Sequence, residues 1–179
     1  MNIRPAIPAD CAALARIQVD SYLANYAAIL PEEYLELFSY VDQEQDWQDW
    51  FATDSGEVLM VVQDEQDQVV GYALGKINPL ELPPYEGELV SLHVSNNRQG
   101  LGYGGHLVAA ISRALMDSGC KSLFLWVLAE NPARKFYERL GGKLISEKPW
   151  GGSLEFCIAI QEVAYGWPDI RCLVYPIRE

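Results

Sequence analysis

The stretch Gln99-Gly100-Leu101-Gly102-Tyr103-Gly104-Gly105 constrains this chain more than any other feature. It follows an apolar run, Glu88–Val94, that reads as a strand. It opens a segment from about Gly102 to Asp117 in which Val108, Ile111 and Leu115 recur at helical spacing. Glycines between a strand and a helix let backbone N–H groups approach a ligand closely, and a helix N-terminus favours negative charge. A pyrophosphate is the natural guest of such a turn. The loop lacks the Gly-Lys-Ser/Thr ending of a nucleoside-triphosphate loop, since it runs into Gly-Gly-His. Gly100, Gly102 and Gly105 fit the letters of a dinucleotide fingerprint. However, that fingerprint belongs in a first strand-helix unit, and this loop lies past the midpoint with too little chain behind it.

Around the loop the pattern alternates. Asp10 is placed to cap a helix over 11–28, Pro31 to open a second over 31–38, and residues 42–52 read as an acidic helix. Strands are expected at 57–63 and 68–77 with a polar hairpin turn between them, and a proline-rich loop follows over 78–86. Gly119 suits the end of the helix after the glycine loop. Leu123–Leu128 is an unbroken apolar run, as in a central strand covered on both faces. Asn131-Pro132 starts a short helix to Leu140, and strands are expected at 143–148 and 154–165. The sum is a mixed α/β sheet in one domain covering residues 1–179.

Composition narrows the function. The net charge is −12 with only 13 scattered Lys and Arg, which argues against nucleic-acid binding and suits a cationic partner such as an amine. The longest apolar runs, Val58–Val62 and Leu123–Ala129, are too short to span a bilayer. The start of the chain has no apolar leader core, so the expected compartment is the cytoplasm. Cys11, Cys120, Cys157 and Cys172 form no Cys-x-x-Cys pair and only two histidines exist, so no metal is expected and the thiols should be reduced and buried.

The order of these pieces resembles the GNAT superfamily of N-acetyltransferases. Gln99-x-x-Gly102-x-Gly104 matches that family's Gln/Arg-x-x-Gly-x-Gly/Ala pattern. Gly87–Val94 looks like the family's strand before it, and Leu125–Gly142 like its fifth strand and following helix. Ile3–Asp10 and Glu162–Trp167 resemble its first and last elements, so the resemblance covers nearly the whole chain. Ser95-Asn96-Asn97 departs from the family's usual Pro-Glu-Tyr, in a segment expected to be exposed.

The resemblance implies a GNAT fold, a twisted central sheet of about six to seven strands flanked by helices, and an acetyl-CoA-dependent N-acetyltransferase. It implies that the backbone of Gln99, Gly100, Leu101, Gly102, Tyr103, Gly104 and Gly105 holds the coenzyme A pyrophosphate. Leu92, His93 and Val94 meet the pantetheine through main-chain groups, as an added strand would. The Val94 N–H is the candidate for polarising the thioester carbonyl. Tyr137 is the implied general acid toward the thiolate, and Asn131 both caps a helix and bonds the pantetheine. Glu88 is the leading general base, with His93 or water as the alternatives. Plain strand alternation puts Glu88 with Val90, Leu92 and Val94, and His93 with Leu89 and Ser91, unless a bulge intervenes.

Tyr22, Tyr26, Glu32 and Tyr85 are candidate walls for the acceptor, with Glu86 and Trp150 beside them. The acceptor expected first is an amine of a small molecule. A protein or peptide amine is the second reading, and an inactive CoA-sensing module the third. A homodimer is compatible with the resemblance.

Overall fold

The computed structural model describes residues 1–36, 38–53, 55–78, 81–151 and 160–174. Among these residues seven strands form one mixed sheet: β1 (Asn2–Pro5), β2 (Val58–Gln63), β3 (Val69–Ile77), β4 (Gly87–Val94), β5 (Leu123–Leu128), β6 (Lys143–Pro149) and β7 (Gln161–Trp167). Their order is β1-β2-β3-β4-β5-β7-β6. Every neighbouring pair is antiparallel except β4 and β5. The connection between those two is α4 (Tyr103–Asp117), as a parallel crossover requires. The other helices are α1 (Cys11–Tyr26), α2 (Glu32–Leu35), α3 (Tyr40–Ala52) and α5 (Arg134–Arg139). Among the described residues no helix is long and apolar enough to cross a membrane.

The sheet separates two apolar layers. On one face α4 lays Leu107, Val108, Ile111 and Leu115 against Val62, Ala73, Leu89, Leu123 and Leu125. Close approach is possible because β3 carries Gly75, where a Cβ would stand 2.6 Å from the Ile111 side chain. On the other face Leu14 and Ile17 of α1 pack with Trp47 of α3 onto Leu59, Val61 and Tyr72. Gln18 ties this layer together, accepting from Trp47 Nε1 at 2.9 Å and from the Tyr72 hydroxyl at 3.2 Å.

Several local expectations are corrected. Asp10 is itself in helical conformation and makes no side-chain cap for α1. Its carboxylate instead accepts from the Ile7 amide at 2.9 Å and takes both ends of the Arg4 guanidinium, at 2.8 and 2.9 Å. Arg4 is close enough to reach it because the chain turns through one 3-10 turn, Pro8–Asp10, between strand and helix. Burial pushes the Asp10 pKa up, but the Arg4 fork and the Ile7 amide outweigh it, and the net shift is downward. A lowered carboxylate pKa contributes stability above the unfolded pKa and loses it as pH falls through the folded one. Asp10→Asn is therefore expected to destabilise by about 2 kcal/mol near pH 7, since the Arg4 side chain is 27% exposed and partly screened. The penalty should shrink below about pH 4, and thermal melts across pH check this.

The second helix spans only Glu32–Leu35, with Pro31 in extended conformation before it. The short helix after β5 begins as a tight turn, with Arg134 N–H to Asn131 O at 3.2 Å, and becomes α-helical at Arg134. The last strand starts at Gln161, and its expected portion 154–159 lies outside the described residues. Cys11 and Cys120 are buried thiols, Cys172 is an exposed one against expectation, and Cys157 lies outside the described residues.

Candidate functional site

The two parallel strands part almost as soon as they meet. β4 and β5 pair only at Gly87 with Leu123 and at Glu88 with Phe124. From there β4 stays with β3 on its outer edge and β5 with β7 on its own, so the inner edges diverge. A cleft of about 1390 Å³ opens between them. Its walls are β4, β5, the glycine loop, the turn before α5, and the C-terminal half of α1.

Strand alternation shows which backbone groups face the gap. The Ser95 amide donates to Val70 O of β3 at 2.8 Å. Neighbouring residues alternate edges, so the Val94 and Leu92 amides are directed to the cleft side. The Gln99 side chain confirms that edge, donating from Nε2 to Val94 O at 3.3 Å. Among the described residues, the inner edge of β4 beyond Glu88 therefore pairs with no other strand and borders a cleft, able to pair with an extended ligand.

A bulge decides what faces each layer. The ladder pairs Leu74 with Ser91 and Gly75 with Leu89, leaving Val90 as the extra residue. The plain alternation expected from the sequence is thereby reversed across Val90. Leu89, Leu92 and Val94 share the α4 face. Glu88, Ser91 and His93 share the α1 face, paired across from Lys76, Leu74 and Tyr72. The two candidate bases thus stand on one face.

The glycine loop closes one end of the cleft. Gly100 and Gly102 have φ of +76° and +85°, which side chains rarely adopt. Gly102 is the residue before α4, and the first helical bond runs from His106 N to Gly102 O. The amides of Tyr103, Gly104 and Gly105 therefore have no carbonyl partner in the helix. Gly104 lets Phe136 approach, since a Cβ there would lie 3.3 Å from its ring. Leu101 is exposed and stands outside the lining, whereas Gln99, Gly100, Gly102, Tyr103, Gly104 and Gly105 belong to it.

Tyr137, on α5, lines the cleft and is buried. Its hydroxyl has no hydrogen-bond partner among the described residues. Burial, with a smaller contribution from Tyr26, pushes its pKa well up, so it is a neutral proton donor at physiological pH. Asn131 is buried nearby, accepting from the Ala133 amide at 2.8 Å and donating to the Tyr26 hydroxyl at 3.1 Å. Glu88 Oε2 accepts from Asn78 Nδ2 at 2.6 Å and lies 3.2 Å from Lys76 Nζ.

His93 lies against the rings of Tyr22 and Tyr72, and its Nδ1 is 2.9 Å from Ser21 Oγ. Burial pushes its pKa down to about 4. An unfolded histidine titrates near 6.5. Between these values the unfolded chain takes up a proton that the folded chain refuses, so stability falls as pH drops from about 6.5 to about 4. His93→Gln is expected to flatten this part of the stability profile, by on the order of 2 kcal/mol at its acid end. Chemical denaturation at pH 7 and pH 4.5 measures it.

Of the expected acceptor walls, Tyr22, Tyr26 and Trp150 line the cleft. Tyr22 stacks on Phe38 at 4.3 Å and Trp150 meets Tyr34 edge-on at 4.9 Å. Glu32 does not line it and belongs to a separate depression with Leu23, Leu35 and Phe38. Tyr85 does not line it either. Its ring packs on Phe124 and over Gly166, where a Cβ would stand 2.6 Å away. Glu86 instead fixes a turn, accepting from the Lys121 amide at 2.6 Å.

The cleft residues that sequence reasoning missed include Ser21, Glu81, Trp126, Lys148 and Glu162. Trp126 and Glu162 follow the inward alternation of their strands, but only the register of β5, β6 and β7 reveals that they share a face with Glu88.

Comparison with known proteins now bears on this geometry. Residues 20–142 match the model of the acetyltransferase (GNAT) family. An uncharacterized N-acetyltransferase of Bacillus subtilis, YuaI, is 31% identical over 97% of this chain and 96% of its own length. The mycothiol acetyltransferase of Kocuria rhizophila is 35% identical, over 55% of this chain and 33% of its own length. Among solved structures, the PaiA N-acetyltransferase of Thermoplasma acidophilum in complex with coenzyme A has a TM-score of 0.72 at 17% identity, over 93% of this chain and 98% of that one. YncA of Salmonella typhimurium, with acetyl-CoA, has a TM-score of 0.70 at 22% identity, over 100% and 96%.

Proposed function

Because the chain belongs to the GNAT acetyltransferase family, we propose that its 179 residues form one domain that moves an acetyl group from acetyl-CoA to an amine of a small molecule, by direct attack in a ternary complex. The observation that carries this reading is the inner edge of β4, which beyond Glu88 pairs with no strand among the described residues and borders the same cleft as the amides at the start of α4. A strand-like arm ending in a pyrophosphate fits that shape, with an edge for the arm and a helix N-terminus for the anion.

In this reading the amides from Gln99 to Gly105 hold the pyrophosphate, and the cleft-side amides of Leu92 and Val94 hold the pantetheine arm. His93 lies between them in the strand, and its backbone faces β3, as the 2.9 Å approach of His93 O to a Gly71 Cβ position shows. His93 therefore meets the acceptor side through its ring rather than the arm through its backbone. The acetyl donor supplies the activated acyl group. The Val94 N–H polarises its carbonyl, and such a donor is worth about a hundredfold or more in rate.

Proton traffic falls to two side chains. Glu88 takes the proton that an acceptor ammonium must lose, directly or through water. An alkylamine has a pKa near 10 and is almost wholly protonated at neutral pH. Tyr137 gives a proton to the departing thiolate, whose conjugate acid has a pKa of about 8.5, and its free hydroxyl suits that duty. The bulge at Val90 supports the division of labour: the α1 face carries the base and receives the amine, and the α4 face receives the thioester arm.

The test is thiol release from acetyl-CoA in the presence of simple alkylamines. Release that requires both the amine and the protein, with an N-acetylated product, is expected. Hydrolysis of acetyl-CoA with no acetylated amine contradicts the reading.

A further inference from the structure

Resting on that reading, we propose that the acceptor is a linear amine with a second nitrogen that stays protonated while the first reacts, and that Glu162 holds this second charge.

The α1 face of the sheet carries a linked polar group beside Glu88. Lys148 of β6 sits with Nζ 4.0 Å from the centroid of the Trp126 ring, 3.2 Å from Glu81 Oε1 and 4.0 Å from Glu162 Oε2. Trp126 Nε1 donates to the same Glu81 oxygen at 3.0 Å. Asn78 Nδ2 bridges Glu81 Oε2 at 2.8 Å and Glu88 Oε2 at 2.6 Å. The cage therefore already binds an ammonium group, and it is joined through one amide to the candidate base.

The charges in this group do not balance. Among the described residues, Glu81, Glu88 and Glu162 face two cations, Lys76 and Lys148. Lys76 serves Glu88 at 3.2 Å and Lys148 serves Glu81 at 3.2 Å. Glu162 is left with Lys148 at 4.0 Å, at the limit of an ion pair, although its side chain is only 19% exposed. Consistent with this, burial and the neighbouring Glu81 and Glu88 raise its pKa against the opposing pull of Lys148. A half-buried carboxylate short of a counter-charge, in the wall of a cleft, is a receptor for a cation.

The reacting nitrogen cannot supply that charge, because it must be neutral when it attacks. A second ammonium on the same molecule can. Glu88 pairs with Phe124 and Glu162 with Leu128, four residues along β5. That places their Cα atoms about 13 Å apart along the strand direction, at about 3.3 Å per residue, and two strand spacings, about 10 Å, apart across it. Two long side chains narrow the gap, which leaves room for a flexible chain between the two nitrogens. The tyrosine and tryptophan walls offer apolar surface and ring faces to such a chain.

The experiment compares α,ω-diamines of four to eight carbons with n-alkylamines of equal length, at saturating acetyl-CoA. In the wild type the best diamine is expected to exceed its monoamine by ten- to a hundredfold in kcat/KM, chiefly through KM. Glu162→Gln should erase that advantage and leave the monoamine values unchanged. A thermal melt establishes that the variant is folded, and the wild-type comparison needs no variant at all. Equal turnover of both amine classes by the wild type overturns the inference and leaves the proposed function standing. So does a Glu162→Gln effect of equal size on both classes. No thiol release with any amine, from protein that binds acetyl-CoA, overturns the proposed function itself.

Discussion

Tyr137→Phe is expected to lower kcat by about a hundredfold or more while leaving the affinity for acetyl-CoA unchanged. The variant removes one hydroxyl and keeps the ring. That hydroxyl has no protein partner among the described residues, so folding loses nothing with it. The melting temperature should change little, since the hydroxyl bonds no described residue and the ring that lines the cleft is kept. This separates chemistry from packing. If Tyr137 only fills the core between Phe136 and Tyr165, the variant keeps wild-type turnover. The same steady-state assay and a melt give both numbers.

Glu88→Gln is the second large effect. The side chain keeps its shape and can still accept from Asn78, but it can no longer take a proton. A fall of about a hundredfold in kcat/KM is expected near pH 7. The deficit should shrink as pH rises toward the amine's own pKa of about 10, because free amine then needs no base. Acetyl-CoA binding should not change, since Glu88 stands on the face opposite Leu89, Leu92 and Val94. A loss independent of pH would give Glu88 a structural role, as the partner of Lys76. It would leave His93, on the same face, or water as the proton acceptor.

Much of the frame was legible in the chain. Leu123–Leu128 is unbroken and apolar because β5 is covered on both faces, and its ends agree with the strand. The glycine loop is legible because positive φ at Gly100 and Gly102 admits few other residues. What escaped depends on pairing between distant strands. The bulge at Val90 has no local mark, since valine suits an ordinary strand and the extra residue exists only relative to β3. Asp10 looked like a helix cap because its type is right for one, but Arg4 across the turn binds both carboxylate oxygens. Tyr85 looked like a site wall because it sits in a loop, and only the bare Gly166 beneath it shows that it packs. Trp126, Lys148 and Glu162 come together from three strands, so no window of sequence contains their meeting.

Calorimetric titration of the protein with acetyl-CoA tests most directly whether the splayed strands and the glycine loop together hold it. One site per chain with micromolar affinity is expected, and a loss of tenfold or more on Gly102→Val, where a side chain at φ of +85° displaces the amides that start α4. No heat of binding from protein shown to be folded would contradict it.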